Sequence, residues 1–88
     1  MKVEFRESFA RDLRAITDQA LRTRLKSVIE SVEQAERLDQ IANLKRLQGS
    51  GQYYRIRIGD YRIGLSITRD VVTFVRFLHQ RDIYRRFP

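Results

Sequence analysis

Two hydrophobic periods run through these 88 residues, and the change from one to the other divides the chain. Phe9, Leu13 and Ile16 recur at i, i+4 and i+7, which predicts a helix with one apolar face. Leu21, Leu25, Val28, Ile29, Val32 and Ala35 form a second stripe of the same period. Ser8 stands where an N-cap of the first helix is expected. Thr17-Asp18 closes that helix and opens the next, so the pair reads as a tight helical hairpin. The other face of the second helix carries Arg22, Arg24, Lys26, Glu30, Glu33 and Glu36, a solvated surface. Ahead of both, Lys2 to Phe5 predicts a short strand.

From Tyr53 onward the period falls to two. Tyr53 to Ile58 and Tyr61 to Thr68 alternate on either side of Gly59-Asp60, the signal of a two-residue hairpin turn. Arg69-Asp70 makes a second turn. Val71 to Leu78 is apolar on both faces and is expected inside the sheet. Between the helices and this region, Leu38, Ile41, Leu44 and Leu47 belong to a short irregular segment that the breaker run Gln48-Gly49-Ser50-Gly51 ends. No helix is expected after the last strand. The order strand, helix, helix, strand, strand, strand is an α+β fold: an antiparallel-rich sheet with the helical hairpin on one face, in one domain over residues 1–88.

Charge sharpens this picture. The chain carries a net charge of +7 and no cysteine, which excludes disulfide staples and thiolate metal sites. No apolar run approaches a membrane span, and the N-terminus lacks the apolar core of a signal peptide. A cytoplasmic domain without a membrane partner is expected. Fifteen of the 18 basic residues are Arg, and residues 52–88 hold eight Arg and three Asp with no Lys or Glu. Guanidinium grips phosphate in a bidentate fork, so the partner this half favours is a polyanion, nucleic acid first.

Pairing the strands outward from Gly59-Asp60 sets Ile58 opposite Tyr61, Arg57 opposite Arg62, Ile56 opposite Ile63 and Arg55 opposite Gly64. Tyr54, Ile56, Ile58, Tyr61, Ile63, Leu65 and Ile67 then share the face that meets the helices. Arg55, Arg57 and Arg62 share the other, beside an expected open space at Gly64. Like charges opposite one another destabilise a ladder, and neither strand holds a carboxylate to relieve them; a bound anion would. The third strand leads into His79, the single histidine, followed by Arg81 and Tyr84. His and Tyr can move protons, and Tyr can also stack on a base. One His and no Cys leave no zinc constellation, and Gly49-Ser50-Gly51 lacks the rest of a dinucleotide or P-loop motif. What remains is metal-free, cofactor-free chemistry on a phosphate, in which arginines stabilise charge and His79 or Tyr84 transfers protons.

Tyr53-Tyr54-Arg55-Ile56-Arg57-Ile58-Gly59-Asp60-Tyr61-Arg62-Ile63, preceded by Leu44-Lys45-Arg46-Leu47 and followed by His79-Gln80-Arg81-Asp82-Ile83-Tyr84, resembles the RelE/ParE superfamily of bacterial toxins. Phe9-Ala10-Arg11-Asp12-Leu13 is similar to its N-terminal pattern. The resemblance implies the toxin of a type II toxin–antitoxin pair, inhibited by a short, partly acidic cognate antitoxin. It implies a ribosome-dependent endoribonuclease that cuts mRNA in the A site without metal, with ribosome and mRNA as partners. Basic residues of such toxins correspond to Arg55, Arg57, Arg62 and Arg81, a histidine to His79, and a C-terminal tyrosine to Tyr84 or, by strict spacing, to the position of Phe87. The ParE-like alternative is a DNA gyrase inhibitor with no nuclease site; a third reading is an RNA-binding domain without catalysis.

Overall fold

Gly59 adopts φ of 57°, and the two strands that leave this turn pair as the alternation predicts. The computed structural model describes residues 1–49 and 51–88; Ser50, in the predicted breaker run, lies outside the described residues. The strands are β1 (Lys2–Phe5), β2 (Leu44–Arg46), β3 (Tyr53–Ile58), β4 (Tyr61–Thr68) and β5 (Val71–His79). The helices are α1 (Glu7–Arg14), α2 (Gln19–Gln34) and α3 (Gln80–Arg86). They build one sheet in the order β1-β5-β4-β3-β2, antiparallel throughout except where β1 runs parallel to β5. The α+β class and the internal position of the last strand agree with the sequence reading.

The core lies between the sheet and the α1–α2 hairpin. Ile56, Ile58, Ile63, Leu65, Val72, Phe74 and Phe77 meet Phe9, Leu21, Leu25 and Val32, all buried. Asp18 caps α2, its Oδ1 accepting from the Leu21 N–H at 3.2 Å. Arg22 departs from the expected solvated face: its Nη1 donates to the Leu13 and Ile16 carbonyls at 2.8 and 3.0 Å, stitching the end of α1 to α2.

Ser8 is no cap either. Arg6 occupies that position without a side-chain bond, and Ser8 lies inside the first turn. Its Oγ donates to the Val75 carbonyl at 2.6 Å, and Asp12, one turn on, accepts from the Phe77 N–H at 2.9 Å. Pairing with β1 ends at Phe74. Beyond it, two polar side chains of α1 satisfy the bare edge of β5, where a strand would otherwise be needed.

Two elements go beyond the predicted order. β2, read as irregular, pairs Leu44 with Ile56, Lys45 with Arg55 and Arg46 with Tyr54, adding a fifth strand at the edge. It has three residues and one apolar side chain, so neither its length nor its period marks it as a strand. α3 follows β5 directly, with His79 as its N-cap: Nδ1 accepts from the Arg81 N–H at 3.2 Å. Ile83 and Phe87, four residues apart, are buried outside the main core cluster. A Cβ built on Gly64 would lie 2.7 Å from the Phe87 ring. The space expected open at Gly64 is therefore filled by Phe87, which also stands edge-on to Tyr53 at 5.5 Å. Both faces of the sheet are covered in part, the second by the C-terminal segment.

Candidate functional site

Three arginines share the sheet face opposite the helical hairpin because β3 and β4 hold a fixed register. Arg57 pairs with Arg62, and Arg55 with Gly64. Each is held differently. Arg55 is half-buried and donates from Nη1 to the Asn43 carbonyl at 3.1 Å, an acceptor presented by a residue at φ of 63°. Arg62 folds back on the turn, with Nη1 donating to the Gly59 and Tyr61 carbonyls at 2.8 and 3.0 Å and Nη2 to Gln80 Oε1 at 3.0 Å. Arg57 is exposed, and among the described residues no hydrogen bond or ion pair engages its side chain. The acceptors of these side chains are carbonyls and one amide, all neutral, and among the described residues no ion pair offsets the charge of the three guanidiniums. Nε of Arg55 and of Arg62 are buried without an acceptor, a desolvation cost that the fold tolerates here.

Two hollows open on either side of these side chains. One lies between β2 and α3 and joins Arg55 to Lys45, Arg46, Tyr84 and Phe87. The Lys45–Arg55 register adds a fourth cation to the face, and Tyr84, 59 % exposed, lines the same hollow. The other lies at the β3–β4 turn and is lined by Arg57, Arg62, Arg24, Asn43 and Gln80 with Asp60. Sequence reasoning missed Lys45, Arg24 and Gln80 as neighbours of the arginines. Lys45-Arg46 was readable as a basic pair ahead of the hairpin, but its place beside Arg55 follows only from the pairing of β2 with β3. Arg24 was not readable, because only the packing of α2 brings it to the turn.

The remaining predicted residues divide. Tyr84 joins Arg55. His79 lies across from Tyr61, whose ring stacks on the core residue Phe77; His79 stands edge-on to that ring at 5.5 Å, on the helix-hairpin side of the sheet. Its Nδ1 is occupied by the Arg81 N–H, so the neutral ring carries its proton on Nε2. Arg81 is exposed in the first turn of α3 and lines neither hollow. Among the described residues no three His, Asp or Glu side chains gather to hold a metal ion, and no helix is long and apolar enough to cross a membrane.

Comparison with known proteins decides the family. A family profile described as the ParE toxin of the type II toxin–antitoxin system parDE matches residues 3–84. The chain belongs to the RelE/ParE superfamily of type II toxins. It is 38% identical to Toxin RelE3 of Methanocaldococcus jannaschii over 89 residues, with both chains covered in full. The toxin in the RelB–RelE antitoxin–toxin complex from Methanococcus jannaschii superposes with a TM-score of 0.82 at 35% identity, over 97% of this chain and 99% of that one. The intact E. coli RelBE complex gives 0.69 at 22% identity, over 89% and 93%, a likeness of fold. In this RelE/ParE toxin the hairpin that carries the resemblance packs its isoleucines and Leu65 into the core and turns Arg55, Arg57 and Arg62 to the opposite face of the sheet.

Proposed function

We propose that this toxin is a ribosome-dependent endoribonuclease that cuts mRNA in the A site, residues 1–88 acting as one domain, and that a cognate antitoxin holds it inactive. The observation that carries the reading is the β3–β4 register, which sets Arg57 across from Arg62 and Arg55 on the same face, where among the described residues no carboxylate pairs with them. An RNA phosphate supplies the missing negative charge. In the reaction the 2′-oxygen attacks phosphorus, the bond from phosphorus to the 5′-oxygen breaks, and charge gathers on the nonbridging oxygens. Products are a 2′,3′-cyclic phosphate and a 5′-hydroxyl. Arg55, Arg57 and Arg62 stabilise that charge, and Arg81 adds to the positive field from α3.

Protons need a different group, since Arg does not release one near neutral pH. Tyr84 and His79 are the candidates, and the geometry favours Tyr84, which shares a hollow with Arg55 while His79 caps a helix on the other side. The solved RelB–RelE complexes describe relatives bound to an antitoxin; for this chain the antitoxin is the expected protein partner. The direct test is primer extension on mRNA programmed into ribosomes with purified toxin. Cuts confined to the A-site codon, persisting in a chelator once ribosome integrity is controlled, support the proposal. Intact mRNA with trapped gyrase–DNA breaks supports the second reading, which draws on the ParE profile match over residues 3–84.

A further inference from the structure

The hollow at the β3–β4 turn draws a cation from outside the hairpin. Arg24 projects from α2, and its Nη1 lies 3.3 Å from where a side-chain carbon on Gly59 would stand. Gly59 supplies the positive φ of the turn, and the end of the Arg24 side chain comes close beside it. Arg24 is exposed, and among the described residues no hydrogen bond or ion pair engages its side chain. Arg57 and Arg62 complete the wall from β3 and β4. Asp60 is the single carboxylate of the lining, and among the described residues no ion pair joins it to any of the three guanidiniums. Gln80 fixes the arrangement: its Oε1 accepts from Arg62, and its backbone N–H donates to the Asp60 carbonyl at 2.7 Å, locking the start of α3 to the turn.

We infer that this hollow is a second phosphate position for an RNA strand, with Arg24 as its ligand from α2 and Gln80 as a positioning residue for Arg62. Three guanidiniums from three elements converge where one carboxylate leaves the charge unbalanced, and phosphate is the anion their forked donors match. The first position, where the bond breaks, is the hollow that holds Arg55, Lys45 and Tyr84; Arg57 and Arg62, on the same sheet face, serve both positions. Arg55 and Arg57 are two residues apart on one strand face, about 7 Å, so one extended RNA strand can lay neighbouring phosphates along them. The identity of the ligand as RNA rests on the nuclease reading; the division into two positions and the part of Arg24 do not.

Salt dependence tests this, because each phosphate contact on a single strand contributes about 0.7 to the slope of log K against log salt. The probe is a fluorescent, uncleavable 2′-O-methyl RNA heptanucleotide, titrated by polarisation across a salt series with the full chain. Arg24→Ala is expected to weaken binding about tenfold at low salt and to lower the slope by about 0.7. Arg24→Lys should keep the slope, and Arg11→Ala, which removes one exposed charge from α1, should leave it at the parental value. An unchanged slope in Arg24→Ala overturns the inference. So does an equal fall in Arg11→Ala, which would mean diffuse charge, or a loss confined to the affinity for antitoxin. A parent that shows the Arg24-dependent slope but never cuts mRNA keeps this position and loses the nuclease reading. A parent that cuts, with Arg24→Ala unchanged in slope, does the reverse.

Discussion

Arg76 and Arg57 sit on strands of one sheet, with β4 between them, and lead opposite lives. Arg76, on β5, donates from Nε and Nη2 to the two oxygens of Asp12 at 2.7 and 3.0 Å. That hydrogen-bonded carboxylate holds its guanidinium above the ordinary arginine value, burial pulls the other way, and the charge of Asp12 adds to the rise. The same carboxylate accepts the Phe77 N–H, so one ion pair joins α1 to the sheet edge. Arg57 faces a second arginine and, among the described residues, has no such partner. One arginine is consumed by the fold; the other is left for something outside it. Sequence composition treats them alike, and only the presence or absence of a carboxylate within reach tells structure from function.

The largest expected effect breaks the unpaired side. Arg57→Ala should slow mRNA cleavage by roughly 10²- to 10³-fold, the usual loss when one preorganised donor to a developing oxyanion is removed. Its thermal melt should hold. A lost melt with intact activity per folded molecule would put Arg57 in the structural class with Arg76 and sink the contrast.

Next comes the paired side. Asp12→Ala strands a partly buried guanidinium and orphans the Phe77 N–H, for about 3 kcal/mol, or a fall in Tm of roughly 15 °C. Arg76→Ala should cost less, about 1–2 kcal/mol, because Asp12 still accepts from the Phe77 N–H. RNA binding by the folded fraction should match the parent in both. Equal losses in the two variants would show that the edge bond to Phe77 contributes nothing.

Much of this contrast was legible in the residues. Alternation around Gly59-Asp60 gave the hairpin register residue by residue, and with it the arginine face, because a two-residue turn leaves the pairing no freedom. What escaped depends on tertiary partners. β2 exists because β3 offers it an edge, and its three residues carry no period of their own. Ser8 has the chemistry of a cap and was drawn instead to the Val75 carbonyl. α3 was the readable miss: His79 as cap, Asp82 in the first turn, Arg85 and Arg86 in the last, and Ile83 four residues from Phe87 form a helical signature. Reading that tail as an arginine-dense coil hid both the helix and the filling of Gly64 by Phe87. The same tail separates the predicted site residues, since α3 carries Tyr84 to Arg55 while its cap turns His79 toward Tyr61.

That filling supplies a smaller test. Gly64→Ala places a methyl group 2.7 Å from the Phe87 ring, so the ring or the strand has to shift, at about 1–2 kcal/mol. Tyr84 rides on the same segment, and cleavage should fall with stability. In Gly64→Ala combined with Phe87→Leu, the two losses should sum to less than their separate values, because the smaller side chain makes room. Strict additivity in the melts would mean that Phe87 does not rest on Gly64 in solution.

Salt sets the finest measure of the comparison. Like charges opposite one another in a ladder destabilise it by a few tenths of a kcal/mol, and Arg57 and Arg62 are such a pair. Arg57→Ala should therefore be slightly more stable than the parent at low ionic strength, by about 0.3 kcal/mol. At about 1 M salt the screening length shrinks to about 3 Å, and this advantage should vanish. The Asp12–Arg76 pair is mostly shielded from solvent, with side-chain exposures of 11% and 22%, so the Asp12→Ala penalty should survive the same salt almost unchanged. Parallel denaturant melts of the three proteins at both salt levels check the two outcomes together. If the Arg57→Ala advantage persists at high salt, the gain comes from strand propensity or hydration, and the arginine face carries no stored repulsion for a phosphate to relieve.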